Sequence, residues 1–303
     1  MTNTNKSTPA EPVLSAQEKC LQLVSQPGNS LYYATLFLTP EQKLQLAPLL
    51  AFSWRVERIP RFSTEEDVVN TQFSWWTHEI DQAYRQKASH PIAIGLKESC
   101  GNNKMLQQHL ALLNKYSNDC QIDSEKMFRQ FCIQRRENLI SFALESLQLT
   151  PFIGDFSATA SELLGLLDIL DGFHRDARHG LFYFPLEKMA EFKLTTDFLL
   201  ENPLNKPSNP VNQFWQVYLR RVTYCYQKLW QQQQFREHPL ALCIIIYAGI
   251  RAKAWQKRIK QSAPAENLCY NLRPQLGPLE KFWISWRLKS RWTSAKLPMR
   301  TLS

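Results

Sequence analysis

The chain predicts an all-α fold, a helical bundle around a central cavity, and three observations carry the all-α expectation. Glycine is scarce, 9 among 303 residues, well under the usual ~7%, which disfavours a turn-rich β architecture. Apolar residues recur at spacings of three and four over long stretches, the period of an amphipathic helix. The 17 prolines fall mostly between those stretches, where they punctuate helices instead of breaking them. No convincing alternating strand pattern, repeat or low-complexity tract competes. A chain of this length can bury a large core. One helical domain over residues 14–303 is expected, behind a polar, disordered segment at 1–13.

The elements follow in order. Residues 14–24 read as a short helix, ended by the break Pro27-Gly28-Asn29. Residues 31–38 and 40–59 are apolar helical stretches, with Pro40 suited to a first turn. Ser63 and Glu66 have the spacing of a capping box for the next helix. Within it Val69, Phe73, Trp76, Ile80 and Ala83 advance by four and three, which makes one inward face. Trp75 and Trp76 are both read as core. Helices are expected at 91–99, 104–116 and 124–147. Residues 157–173 are apolar on nearly all sides, the mark of a central helix. Beyond a loop at 177–185 come a short helix at 186–192 and an Asn/Pro-rich linker at 202–210. Helices at 211–234, 239–259 and 277–292 complete the set. The last mixes bases with aromatics in the manner of a membrane-surface helix. Its aromatics do not separate cleanly onto one face, so packing against the domain is expected.

Charge and cysteine usage narrow the partners. With 36 basic and 27 acidic residues the net charge is +9, which suits an anionic surface or a phosphorylated ligand. The charges are dispersed and no nucleic-acid signature is present, so no nucleic-acid partner is expected. The seven cysteines show no ligand spacing and read as reduced thiols of a cytoplasmic protein. The polar start lacks the apolar core of a secretory signal. The longest apolar run, 240–250, is short of the ~20 residues that span a bilayer. His174 and His179 flank Asp176, but a spacing of five does not align side chains on a helix, so no metal pair is expected there.

Three stretches carry the functional signal: Asn29-Ser30-Leu31-Tyr32-Tyr33-Ala34, then Ala51-Phe52-Ser53-Trp54 leading to Glu57, Arg58 and Arg61, then Asp168-Ile169-Leu170-Asp171-Gly172 leading through Arg175-Asp176 to Gly180-Leu181-Phe182-Tyr183-Phe184-Pro185. With Ser89-His90-Pro91-Ile92-Ala93 and the helix through Trp75-Trp76 and Asp81, they resemble the squalene/phytoene synthase family over about residues 20–291. That family joins two isoprenyl diphosphates head to head, and the resemblance implies an isoprenoid-synthase-type bundle with a central cavity. It also implies two acidic clusters that hold magnesium, because ionising an allylic diphosphate requires the leaving charge to be neutralised. Here the first cluster reads Glu57, Arg58, Arg61, with one acid kept and two exchanged for cations. In the second, the first Asp of the frame is Gly172 and the Glu is Arg175, while Asp176 remains. Asp168 and Asp171 are acids where the family usually has Asn and Arg.

The resemblance therefore supports two readings. In one, the chain is a degenerate, non-catalytic member that binds a prenyl diphosphate or lipid-like ligand without a cofactor, or works as the mitochondrial assembly factors for respiratory complex I do, with a membrane protein or membrane surface as partner. Ser30, Tyr33, Arg55, Arg58, Arg61, Arg175, Arg178 and Tyr183 would then contact the ligand, arginine forks replacing the metal. In the other, it is an active prenyltransferase in which Glu57, Asp168, Asp171 and Asp176 form a rearranged magnesium site. A plain lipid-binding module is a third. The acids could equally pair with Arg175, Arg178 or the arginines around residue 58, and Arg135 and Arg136 carry the same ambiguity.

Overall fold

The structure, a computed structural model, describes residues 14–63, 65–119, 121–149, 154–197, 209–261 and 276–294. Among them every regular element is helical, and no strand occurs. The expected disorder at 1–13 and most of the 202–210 linker lie outside the described residues.

Local chemistry sets the helix starts. In α1 (Ala16–Val24) the Ser15 side chain accepts from the Glu18 backbone, and Glu18 reaches back to Ser15, a reciprocal capping box. Asn29 caps α2 (Ser30–Ala34). Thr39 and Gln42 form a second box for α3 (Pro40–Val56), with Pro40 in the first turn. A 3-10 turn, Ile59–Arg61, follows α3. The expected Ser63–Glu66 box is not formed: α4 (Glu66–Tyr84) has Glu65 as its cap residue, and the Ser63 hydroxyl instead accepts from Glu65 N. The chain emerging from the 3-10 turn makes a tight Ser63 turn, which consumes the hydroxyl before the helix begins.

Next come α5 (Pro91–Ser99), α6 (Lys104–Asn118) and α7 (Glu125–Ser146). Then follow α8 (Asp155–Ala177), α9 (Leu186–Glu191), α10 (Asn209–Gln231), α11 (Pro239–Gln261) and α12 (Pro278–Thr293). The predicted inward face of α4 is buried as expected. Of the tryptophan pair only Trp76 is core; Trp75, one residue round the helix, is 46% exposed.

Helix α8 is the axis. Leu163, Leu166, Leu167, Ile169 and Leu170 are all buried, because α7, α10 and α11 pack around it. The α7 contact is the closest: a Cβ on Gly165 would lie 2.8 Å from the carbonyl carbon of Cys132, so no larger residue fits at that crossing. Below, Phe128, Phe173, Phe184, Phe214, Trp215 and Tyr218 interlock with ring centroids 5.0–6.0 Å apart. They anchor the loop after α8, where the Asp176 carbonyl accepts from His179 N and Leu181 N and Gly180 takes φ +75°. That turn fixes the C-terminal end of α8 against the 3-10 turn after α3.

Candidate functional site

A cavity of about 540 Å³ lies where α3, α7, α8 and α11 converge, with the turn before α2 and the start of α12 at its rim. This is within the ~300–1,000 Å³ range of small-molecule pockets. Helical spacing puts the lining in place. On α8, Leu164, Asp168, Asp171 and Arg175 advance by four, three and four and share one face. On α11, Leu240, Cys243, Ile244, Tyr247, Ile250, Arg251 and Ala254 form the facing stripe. Helix α7 adds Arg135, Arg136, Leu139, Ile140 and Ala143, and the end of α3 adds Ser53 and Glu57. One part of the wall is thus charged and the rest aliphatic.

The charged part is a ladder of guanidinium and carboxylate groups. The Ser53 hydroxyl donates to Glu57 Oε1 at 2.6 Å. Arg136 donates from Nη1 to the Ser53 hydroxyl at 3.0 Å and from Nη2 to Glu57 Oε2 at 3.1 Å, and its Nε donates to Asp168 Oδ2. Arg251 Nη1 lies 2.8 Å from Asp168 Oδ1, an ion pair off hydrogen-bond geometry, while its Nε donates to Asp171 Oδ2 at 2.8 Å. Trp255 Nε1 donates to Asp171 Oδ1 at 2.8 Å. Apart from this ladder, Arg61 holds Asp176 with Nε 2.5 Å from Oδ1 and Nη2 3.1 Å from Oδ2, the two-pronged arrangement that arginine favours.

These contacts govern protonation. Burial pushes the Glu57 carboxyl up, but Arg136, Arg135 and the Ser53 hydroxyl outweigh it, against the nearby Asp168 charge, and hold it below its ordinary value. Burial likewise opposes ionisation of Asp168, and Arg136 and Arg251 again prevail, holding it well down. Arg136 and Arg251, and Arg135 with Nη2 3.9 Å from Glu57 Oε2, are all held more firmly protonated than usual, their carboxylate neighbours overcoming the cost of burial. Behind them His109 is fully buried with neither ring nitrogen bonded. Burial pulls its pKa down to about 3, so it is a neutral spacer.

Of the residues singled out by sequence, Ser30, Glu57, Arg58, Arg61, Asp168, Asp171 and Arg175 line the cavity. Asp176 sits behind Arg61 as its partner, its side chain 3% exposed. Four others are not in the lining. Tyr33 is core, edge-on to Tyr32. Tyr183 is core against Phe131, with the Arg135 guanidinium 5.7 Å from its ring. Arg55 is exposed over Trp54, because α3 turns Ser53 and Glu57 inward and position 55 away. Arg178 is exposed where the chain leaves α8. Among the described residues Arg58 has no acid partner, although pairing is one expectation from the sequence; its guanidinium covers Trp54 at 4.6 Å and Phe62 at 5.6 Å. His179 Nδ1 contacts the Arg175 carbonyl, and no metal-binding cluster of His, Cys, Asp or Glu occurs among the described residues.

The model of the family described as squalene/phytoene synthase matches residues 24–261. The chain belongs to that family. The squalene/phytoene synthase fold is also what the solved structures return. A dehydrosqualene synthase in complex with ligand superposes with TM-score 0.77 at 15% identity, covering 92% of this chain and 97% of the other. The squalene synthase HpnC from Alicyclobacillus acidocaldarius gives 0.62 at 13% identity, covering 92% and 94%. At these identities the likeness carries the fold alone. Comparison with curated proteins finds no match.

A Cβ on Gly172 would sit 2.6 Å from Asp176 Oδ2 and 3.5 Å from Arg61 Nη2. Glycine at 172 thus leaves room for the Asp176 carboxylate that Arg61 holds. Arg251 escaped the motif reading because it lies eighty residues from Asp171 in sequence. Its signal was its place directly after the apolar run 240–250, on the face of Tyr247 and Ala254.

Proposed function

We propose that this squalene/phytoene synthase-family protein is non-catalytic and binds an anionic amphiphile, of the prenyl diphosphate or lipid kind, through arginines and without magnesium. One observation carries the reading: each carboxylate that could face a metal is already engaged by a guanidinium, Glu57 and Asp168 by Arg136, Asp168 and Asp171 by Arg251, and Asp176 by Arg61. Magnesium requires near-octahedral oxygen donors at 2.0–2.1 Å. A donor set interleaved with arginines does not fit it, since a divalent cation would lie against fixed positive charge. The same arginines suit a diphosphate or headgroup. Cations outnumber carboxylates in the lining, and Arg135 Nε, buried with no hydrogen-bond partner, is a donor in want of an acceptor. The aliphatic wall of α7 and α11 suits the hydrocarbon chain.

In this reading the protein works by holding its ligand, as a carrier or in the manner of an assembly factor, in the cytoplasm or at a membrane surface. Calorimetry with a non-hydrolysable farnesyl diphosphate analogue tests it. The analogue is expected to bind without metal, and magnesium to change its affinity by less than tenfold, about 1.4 kcal/mol. A larger metal-dependent gain, or diphosphate release from farnesyl or geranylgeranyl diphosphate, would instead establish the active prenyltransferase with Glu57, Asp168, Asp171 and Asp176 as its metal site.

A further inference from the structure

Helix α12 has two faces of opposite kind. Its inner face, Lys281, Ile284, Ser285, Leu288 and Trp292, is buried. The outer face carries Leu279, Phe282, Trp283 and Trp286, exposed by 80, 48, 59 and 52%. Their spacing of three, one and three makes a continuous stripe about a third of the circumference wide, with the two indole rings in edge contact at 5.8 Å. The aromatics are divided between the two faces, Trp292 inward and Phe282, Trp283 and Trp286 outward, and the inner set makes the expected packing against the domain.

A contiguous apolar stripe of this size on a protein surface marks a docking site. Its chemistry selects a lipid bilayer over a protein groove. Tryptophan and phenylalanine favour the membrane–water interface. Arg287 and Lys289, both exposed, border the stripe on its two sides, in position to meet anionic headgroups, and the chain carries +9. The helix also belongs to the cavity: Lys281 lines it and donates from Nζ to the Gly28 carbonyl at 2.5 Å. We propose that the outer face of α12 docks this protein peripherally onto an anionic bilayer, so that one helix separates the lipid surface from the cavity. The proposal does not depend on what the cavity binds.

Co-sedimentation of the full chain with vesicles tests it, using phosphatidylcholine alone and an equal mixture with phosphatidylglycerol. The wild type is expected to bind the anionic vesicles, less strongly as salt rises. Trp283→Ala/Trp286→Ala is expected to weaken binding by about tenfold or more, with circular dichroism unchanged because both side chains are exposed. Arg287→Glu/Lys289→Glu is expected to abolish the preference for anionic lipid. Absence of wild-type binding to either vesicle would overturn the proposal, as would a tryptophan variant that binds like wild type. A wild-type dimer in analytical ultracentrifugation that the tryptophan variant dissolves, with vesicles left unbound, would overturn it too and assign the stripe to a second copy of this chain.

Discussion

At the scale of single residues, Arg58 and Arg61 look alike in sequence and do different work. Arg61 neutralises a carboxylate that is almost wholly buried, so Arg61→Ala leaves Asp176 charged with only the half-exposed Arg175, 4.0 Å away, as a partner. Denaturant unfolding is expected to register a loss of about 3–5 kcal/mol. Arg58, at the cavity rim, covers two exposed rings, and Arg58→Ala should cost about 0.5–1 kcal/mol. Equal losses would contradict the pairing described. His109 makes a second prediction. Its folded pKa, about 3, lies below the ~6.5 of an unfolded histidine. Between those values the unfolded chain binds a proton that the native chain refuses, so stability falls as pH drops from about 6.5. His109→Leu, which also removes two unbonded buried nitrogens, should flatten that slope in urea titrations across the pH range and leave neutral stability unchanged or higher.

At the scale of elements, the cavity depends on how closely α7 and α8 approach. Arg135 and Arg136 from one and Asp168 from the other meet because Gly165 lets the backbones touch. Gly165→Ala puts a methyl group against the Cys132 carbonyl, which must yield by moving a whole helix. A loss of about 1–3 kcal/mol is expected from this overpacking, seen as a lower Tm. An unchanged Tm would mean that the crossing is looser than described. By contrast α3 tolerates Pro48 in its interior, where the ring is buried and Gly95 of α5 packs against it.

For the whole molecule, the buried carboxylates of the ladder are expected to make the fold acid-labile. Glu57 and Asp168 have folded pKa values depressed below the unfolded ~4. Their contribution is present above about pH 4 and is lost as pH falls through the folded values. Acid unfolding is therefore expected to steepen below about pH 4, beyond the gentler decline due to His109. Acids placed at positions 58 and 61 are expected to be unfavourable, because Asp176 is already buried and charged there. Arg58→Asp/Arg61→Asp places acid against Asp176 and should be less stable than wild type, with magnesium giving no recovery in thermal scans. A stable double variant that releases diphosphate in the presence of magnesium would mean that the site is only switched off.

The helices themselves were legible in the chain. Periodicity located the buried face of α4 and the apolar α8, and proline placed the starts of α3 and α5, because these are short-range consequences of helix geometry and backbone sterics. The motif frame also identified most of the cavity's charged wall, since residues four apart on one helix must share a face. Which arginine meets which acid was not legible. Arg136 and Arg251 supply the ion pairs of Asp168 and Asp171, and Arg61 and Arg175 those of Asp176, because pairing depends on the distance between helices far apart in sequence, and that distance is set by packing. The split of α12 into a buried and an exposed aromatic face was likewise decided only when the bundle chose which side of the helix to bury.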